Sequence, residues 1–106
     1  MAKYLFQASL SAEGVAGVLA EGGTARRRVV QDAIESLGGS LESFNFAFGD
    51  EDVVIIAELP DNETAAAFAM ETSASGRVSV ATTVLVTPEE VDRARTKKSG
   101  WRAPGA

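Results

Sequence analysis

The stretch that most constrains this chain runs from Gly38 to Leu59, GGSLESFNFAFGDEDVVIIAEL. It reads as a β-hairpin turning at Gly49-Asp50-Glu51, where glycine admits positive φ and aspartate suits turn chemistry. On its first strand Phe44, Phe46 and Phe48 share one face, and Leu41, Ser43, Asn45 and Ala47 the other. On its second, Val53, Ile55, Ala57 and Leu59 alternate with Asp52, Val54, Ile56 and Glu58. Aromatic and β-branched residues at this density favour strands. An antiparallel sheet with one wet face should alternate apolar and polar residues strictly. Val54 and Ile56 break that rule, so both faces of the hairpin are expected to be covered.

The rest of the chain supplies partners for the hairpin. Lys3 to Leu10 is a strand with Tyr4, Phe6, Ala8 and Leu10 on one face and Leu5, Gln7 and Ser9 on the other. Ser11 caps a short helix ending near Glu21, with Val15, Val18 and Leu19 at helical spacing and Gly14 and Gly17 weakening it. Thr24 is the expected N-cap of the main helix, Ala25 to Leu37, whose stripe is Val30, Ala33, Ile34 and Leu37. Gly38 or Gly39 ends it in the left-handed region. Pro60-Asp61-Asn62 stops the hairpin's second strand and caps a helix over Asn62 to Ser73, which Ser75-Gly76 closes. Arg77 to Val86 is a strand with Val78, Val80, Thr82, Val84 and Val86 on one face. Thr87-Pro88-Glu89-Glu90 then combines an N-cap, proline at the first helical position and a glutamate three residues after the cap, which predicts a short helix over Pro88 to Lys97.

Strand, helix, strand, strand, helix, strand is the split βαβ, ferredoxin-like α+β order. The predicted fold is a four-stranded antiparallel sheet with an extra C-terminal helix, one domain over residues 1–97 and a tail over 98–106. Two helices cover one sheet face. The other, apolar and uncovered, is expected to meet the same face of a second copy, since a two-fold makes such a contact self-complementary. The predicted partner is therefore the chain itself, as a homodimer or higher homo-oligomer. The tail holds Trp101, the only tryptophan, and is expected to be ordered by docking it on the body or on a neighbouring subunit.

Composition narrows the chemistry. With no cysteine and no histidine, the chain lacks disulfides, thiolate metal sites, and the commonest general base and transition-metal ligand. No cofactor and no metal is expected. A net charge of −5 argues against nucleic acid and anionic membranes as partners. MAKYLFQASL lacks the apolar core of a signal peptide and no apolar run is long enough to span a bilayer, which predicts a cytoplasmic location. There is no Ser/His/Asp set, P-loop or dinucleotide fingerprint.

Several residues stand out as candidates for ligand binding. Arg26 lies roughly 30° from the centre of the main helix's apolar stripe, whereas Arg28 lies roughly 170° away. A cation beside the core needs a carboxylate, carbonyl oxygens or a bound anion, and Asp52 is the expected protein partner. Asp50, Glu51 and Asp52 together read as a solvated turn rather than a cation site. Gln7, Ser9, Ser43 and Asn45 are placed to line a small polar pocket, or to form the weakly polar part of a sheet face. Either Asp52 or Tyr4 is the candidate for proton transfer.

Across most of its length the chain resembles the GYD-domain family. The resemblance is carried by KYLFQASLSAEGV, EGGTARR, ESLGGSLESFNFAFG, DEDVVIIAELPDNETAAA and ASGRVSVATTVLVTPEEVD, from about Lys3 to Asp92, and the ending GWRAPG is similar to that of some members. It implies a ferredoxin-like subunit of the dimeric α/β-barrel group, with two sheets packed face to face, and an arginine at the place of Arg26. At the hairpin turn, where the family's Gly, Tyr, Asp signature is expected, Gly49 and the aspartate match and Glu51 stands where the tyrosine would be. The wider group contains small oxygenases, isomerases and non-catalytic proteins, so the fold does not choose a function. Two readings follow: a homo-oligomeric module that binds a small molecule or protein, or a cofactor-independent enzyme of the oxygenase or isomerase kind that holds a small anionic substrate on Arg26.

Overall fold

In the computed structural model, which describes residues 1–106, the alternating N-terminal run forms β1 (Ala2–Leu10). It is followed by α1 (Ala12–Glu21), α2 (Gly23–Ser36), β2 (Ser40–Phe46), β3 (Val53–Leu59), α3 (Asn62–Ala74), β4 (Val78–Leu85) and α4 (Pro88–Ala94). The strands form one antiparallel sheet in the order β2-β3-β1-β4. This is the ferredoxin-like arrangement the element order predicts.

Cross-strand partners lie on the same face of a sheet, so the register sorts the side chains. Phe6 pairs with Ile55 and Thr82, and Ile55 with Phe44. These belong to the inner face, under α2 and α3. Tyr4, Phe6, Ala8, Val53, Ile55, Ala57 and Leu59 are buried there with Val30 and Ile34 of α2 and Ala65 and Phe68 of α3. Phe6 and Phe68 meet edge to face, 5.1 Å between centroids, a favoured aromatic geometry. Leu5 pairs with Ile56 and Thr83, and Gln7 with Val54 and Ala81. These belong to the outer face, on which no helix lies and where Leu5, Val54 and Ile56 are half-buried only by their neighbours.

The helix boundaries have local causes. Ser11 and Asp61 cap α1 and α3 by accepting the N–H of Gly14 and Thr64, and Thr87 and Glu90 complete a capping box on α4. Gly14 does more than weaken α1: a Cβ there would lie 2.5 Å from the Arg77 carbonyl oxygen, so its absence lets α1 sit against the start of β4. Gly38 takes the left-handed position after α2, at φ 84°.

Three expectations are corrected. The N-cap of α2 is Gly22, with φ 90° and no side-chain cap; α1 and α2 are joined by this single residue, which places Thr24 inside the helix. Leu41 lies on the inner face, packed against the core, because a register shift between Leu41 and Ser43 flips the strand. Phe48 does not continue the Phe44–Phe46 face, because β2 ends at Phe46 and Phe48 stands fully exposed in the turn. No helix is long and apolar enough to cross a membrane.

Candidate functional site

The most built-up part of the molecule is the end of the sheet where β1 meets the hairpin turn. Here β3 has not yet begun, and β1 would be left with open backbone groups. Asp52 closes the gap. Its N–H donates to the Ala8 carbonyl (2.9 Å) and its carbonyl accepts from Ala47 (2.8 Å). Its Oδ2 accepts the Leu10 N–H at 2.7 Å, so a side chain prolongs the ladder by one rung. Next to it, Glu51 accepts a hydrogen bond from Ser9 Oγ at 2.9 Å. The acidic triplet is thus only partly the solvated turn expected. Asp50 is exposed, while Glu51 and Asp52 both fasten β1 to the turn. No three acidic groups converge as a metal would require.

Arg26 sits where its helical phase places it, half-buried, with Arg28 turned to solvent. It does not pair with Asp52, whose carboxylate is taken by the Leu10 N–H. Its Nη1 instead lies 3.5 Å from Glu21 Oε1. The tight α1–α2 joint at Gly22 brings the last residue of α1 back beside the first turn of α2, a contact that helical phase alone does not reveal. Arg26 shares the lining of a small apolar cavity with Val30, Phe44 and Phe68, a position suited to a snorkelling cation.

Tyr4 belongs to the core. It is 1 % exposed, and its hydroxyl donates to Asn62 Oδ1 at 2.7 Å. Burial, followed by the charge of Asp61, raises its pKa above the ordinary tyrosine value. Its row of the sheet lies four residues along β1 from the Ala8 row that Asp52 adjoins, about 13 Å at strand rise. Tyr4 and Asp52 therefore do not form one site.

Gln7 and Asn45 share a row of the outer face, Asn45–Val54–Gln7–Ala81. Ser43 and Ser9 are on that face too, in neighbouring rows. These polar residues stand on an open surface with Leu5, Val54 and Ile56 at its centre. Beyond the centre, Lys3 Nζ meets Glu42 Oε1 at 2.9 Å, and that hydrogen bond and charge raise the Lys3 pKa. An apolar centre with a polar rim is the anatomy of a protein interface.

The sequence reading did not anticipate a groove of about 570 Å³ on the helix side, between α1 and the hairpin turn. It is lined by Val15, Leu19, Phe46, Phe48 and Asp52. Leu19 is 80 % exposed and Phe48 wholly so. The spacing of Val15, Val18 and Leu19 was the available signal, and it marks a helix whose apolar side buries no residue. Trp101 is 78 % exposed, so it does not dock on the body of its own chain.

No curated protein and no solved structure gives a match to this sequence. The family model of the GYD domain matches residues 4–94, which takes in every helix and all of the sheet but the first two residues of β1. With its ferredoxin-like sheet and this match, the chain belongs to the GYD-domain family.

Proposed function

We propose that this chain is a self-associating, non-catalytic binding module of the cytoplasm, whose outer sheet face pairs with that of a second copy. The observation that carries the reading is the apolar centre Leu5, Val54 and Ile56, on a face with no helix over it. The chain exposes 7256 Å² at 11.0 kDa, against about 5,600 Å² for a compact monomer of that mass; the wholly exposed segment from Val86 to Ala106 contributes to this excess, and a standard interface takes about 800 Å² from each partner. The groups suited to proton transfer are already engaged in holding the fold, Tyr4 with Asn62 and Asp52 with the Leu10 N–H, which favours binding over catalysis. Ile56→Lys would place an unpaired charge in the interface, and the mass by light scattering should fall to that of one chain. The same change at Val29, exposed on α2, should leave the mass of the assembly unaltered. An unchanged mass for Ile56→Lys would remove the outer face as the interface.

A second reading rests on Arg26. Its guanidinium makes a single contact at 3.5 Å, which leaves donors for a small anion, whether ligand or the substrate of a cofactor-independent oxygenase or isomerase. Thermal melts with small carboxylates or phosphate test it. Stabilisation present in the natural chain and lost in Arg26→Leu supports an anion site; equal melts in both argue against one.

A further inference from the structure

Every residue from Val86 to Ala106 is exposed. The segment is nevertheless built as structure. The helix α4 carries a complete capping box and proline in its first turn, and Val86, Val91 and Trp101 present large apolar side chains to solvent. A seven-residue helix is marginal by itself. The arm also lengthens the molecule, to 57 × 32 × 23 Å with a radius of gyration of 16.9 Å, where a compact chain of this size has about 13 Å. The groove between α1 and the turn is a second uncovered apolar surface, and its volume is within the range of sites that enclose a ligand, about 300–1,000 Å³.

Charge distinguishes the two surfaces. Residues 93–106 carry Arg93, Arg95, Lys97, Lys98 and Arg102 and no acidic side chain. Residues 1–86 carry twelve acidic side chains and five basic ones. One of those acids, Asp52, lines the groove; Glu21, which meets Arg26, Asp50, which is exposed, and Glu51, which meets Ser9, flank its lining residues at the end of α1 and in the turn. A tryptophan set among cations thus has an apolar, acid-rimmed counterpart on the same chain. The topology separates them: the arm leaves the sheet after Leu85, which pairs with Lys3, whereas the groove lies at the Leu10 end of β1. Lys3 and Leu10 are seven steps apart along the strand, about 24 Å.

We propose that the C-terminal arm of one copy lays Trp101 into the groove between α1 and the hairpin turn of a second copy, with its cations against the acidic rim. An exchange of arms is self-complementary about a two-fold. This adds a second contact to the self-association proposed above, resting on that reading only in that the partner is another copy. It does not require that the sheets pair.

Trp101 is the only tryptophan, so its fluorescence reports the arm alone. In the natural chain its emission should be shifted to the blue of free indole in water and move to the red on unfolding. Phe48→Asp and Leu19→Asp alter fully or largely exposed side chains, so both variants should fold, and both should give red, water-like emission. Mixing Phe48→Asp, which keeps its tryptophan, with Trp101→Phe, which keeps its groove, should restore the blue shift as subunits exchange. Added salt should weaken it, because the rim contacts are exposed. Water-like emission from the natural chain would overturn the proposal. So would blue emission that survives both groove variants, or a mixture that stays red, the sign of an arm folded onto its own body. Exchanged arms would hold two copies together without the sheets, so the mass of Ile56→Lys is read in the Phe48→Asp background, where the arm contact is already lost; there it reports the pairing of sheets alone, while the tryptophan emission of Phe48→Asp and Leu19→Asp reports the arm alone.

Discussion

The two faces of the sheet have much the same apolar alphabet and opposite fates. On β1, Phe6 is completely buried while its neighbour Leu5 is half-covered. On β3, Val53 and Ile55 are 5 % exposed, and Val54 and Ile56 remain partly open. No difference in β-propensity explains this. The inner face has α2 and α3 above it, and the outer face has nothing from the same chain. A strand that is apolar on both sides thus states how many surfaces must be covered, and the single chain covers one. In this account the uncovered face is a binding surface.

The largest expected effect comes from setting adjacent residues against each other. Phe6→Ala should cost about 3–5 kcal/mol in denaturant melts, independent of protein concentration, because it empties a site in a closed core. Leu5→Ala should cost less, and its effect should appear in how the melting temperature depends on concentration. Equal, concentration-independent losses at both positions would erase the distinction between the faces.

The next effect concerns the rung that Asp52 adds. Asp52→Ala strands the Leu10 N–H and should destabilise by about 1–3 kcal/mol. Asp52→Asn keeps an acceptor and should recover most of this. Thermal melts of the two variants decide whether the carboxylate acts through its hydrogen bond, as proposed, or through its charge.

Tyr4 gives a smaller effect with a defined sign. Its pKa is raised in the folded state, first by burial. The neutral phenol is therefore favoured by folding, its contribution is complete below the unfolded value of about 10, and it is lost as pH rises through the folded value. Stability should fall on the alkaline side in the natural chain. Tyr4→Phe should remove that share of the decline and cost about 1 kcal/mol at neutral pH for the lost bond to Asn62.

The smallest effect is at Arg26. The pair with Glu21 is long and about two-fifths exposed, so it is worth under about 1 kcal/mol. Arg26→Leu should be close to neutral in the absence of an anion.

Much of the fold was legible because its signals are local. Alternation fixes the strands, Ser11, Asp61 and Thr87 mark helix starts, and the phase of Arg26 places it beside the core. What escaped depends on juxtaposition. The bulge that turns Leu41 inward has no strong sequence mark, since Leu41-Glu42-Ser43 alternates acceptably in either register. Thr24 is a good capping residue, yet the chain breaks two residues earlier at Gly22, where α1 and α2 share a joint. That joint gives Arg26 its partner. Strand alternation gives the face of Asp52 but not the commitment of its carboxylate to the end of a neighbouring strand. The candidate site was less legible than the fold for the same reason: alternation gives the face of Gln7 on its own strand and of Asn45 on its own, but only the register puts them in one row, sets Tyr4 and Asp52 in distant rows, and joins in the groove elements far apart in sequence.

The most direct test is the mass of the natural chain in solution, measured by light scattering at micromolar concentration. Pairing of the outer faces predicts a particle of at least twice 11.0 kDa. A single species at 11.0 kDa would contradict it.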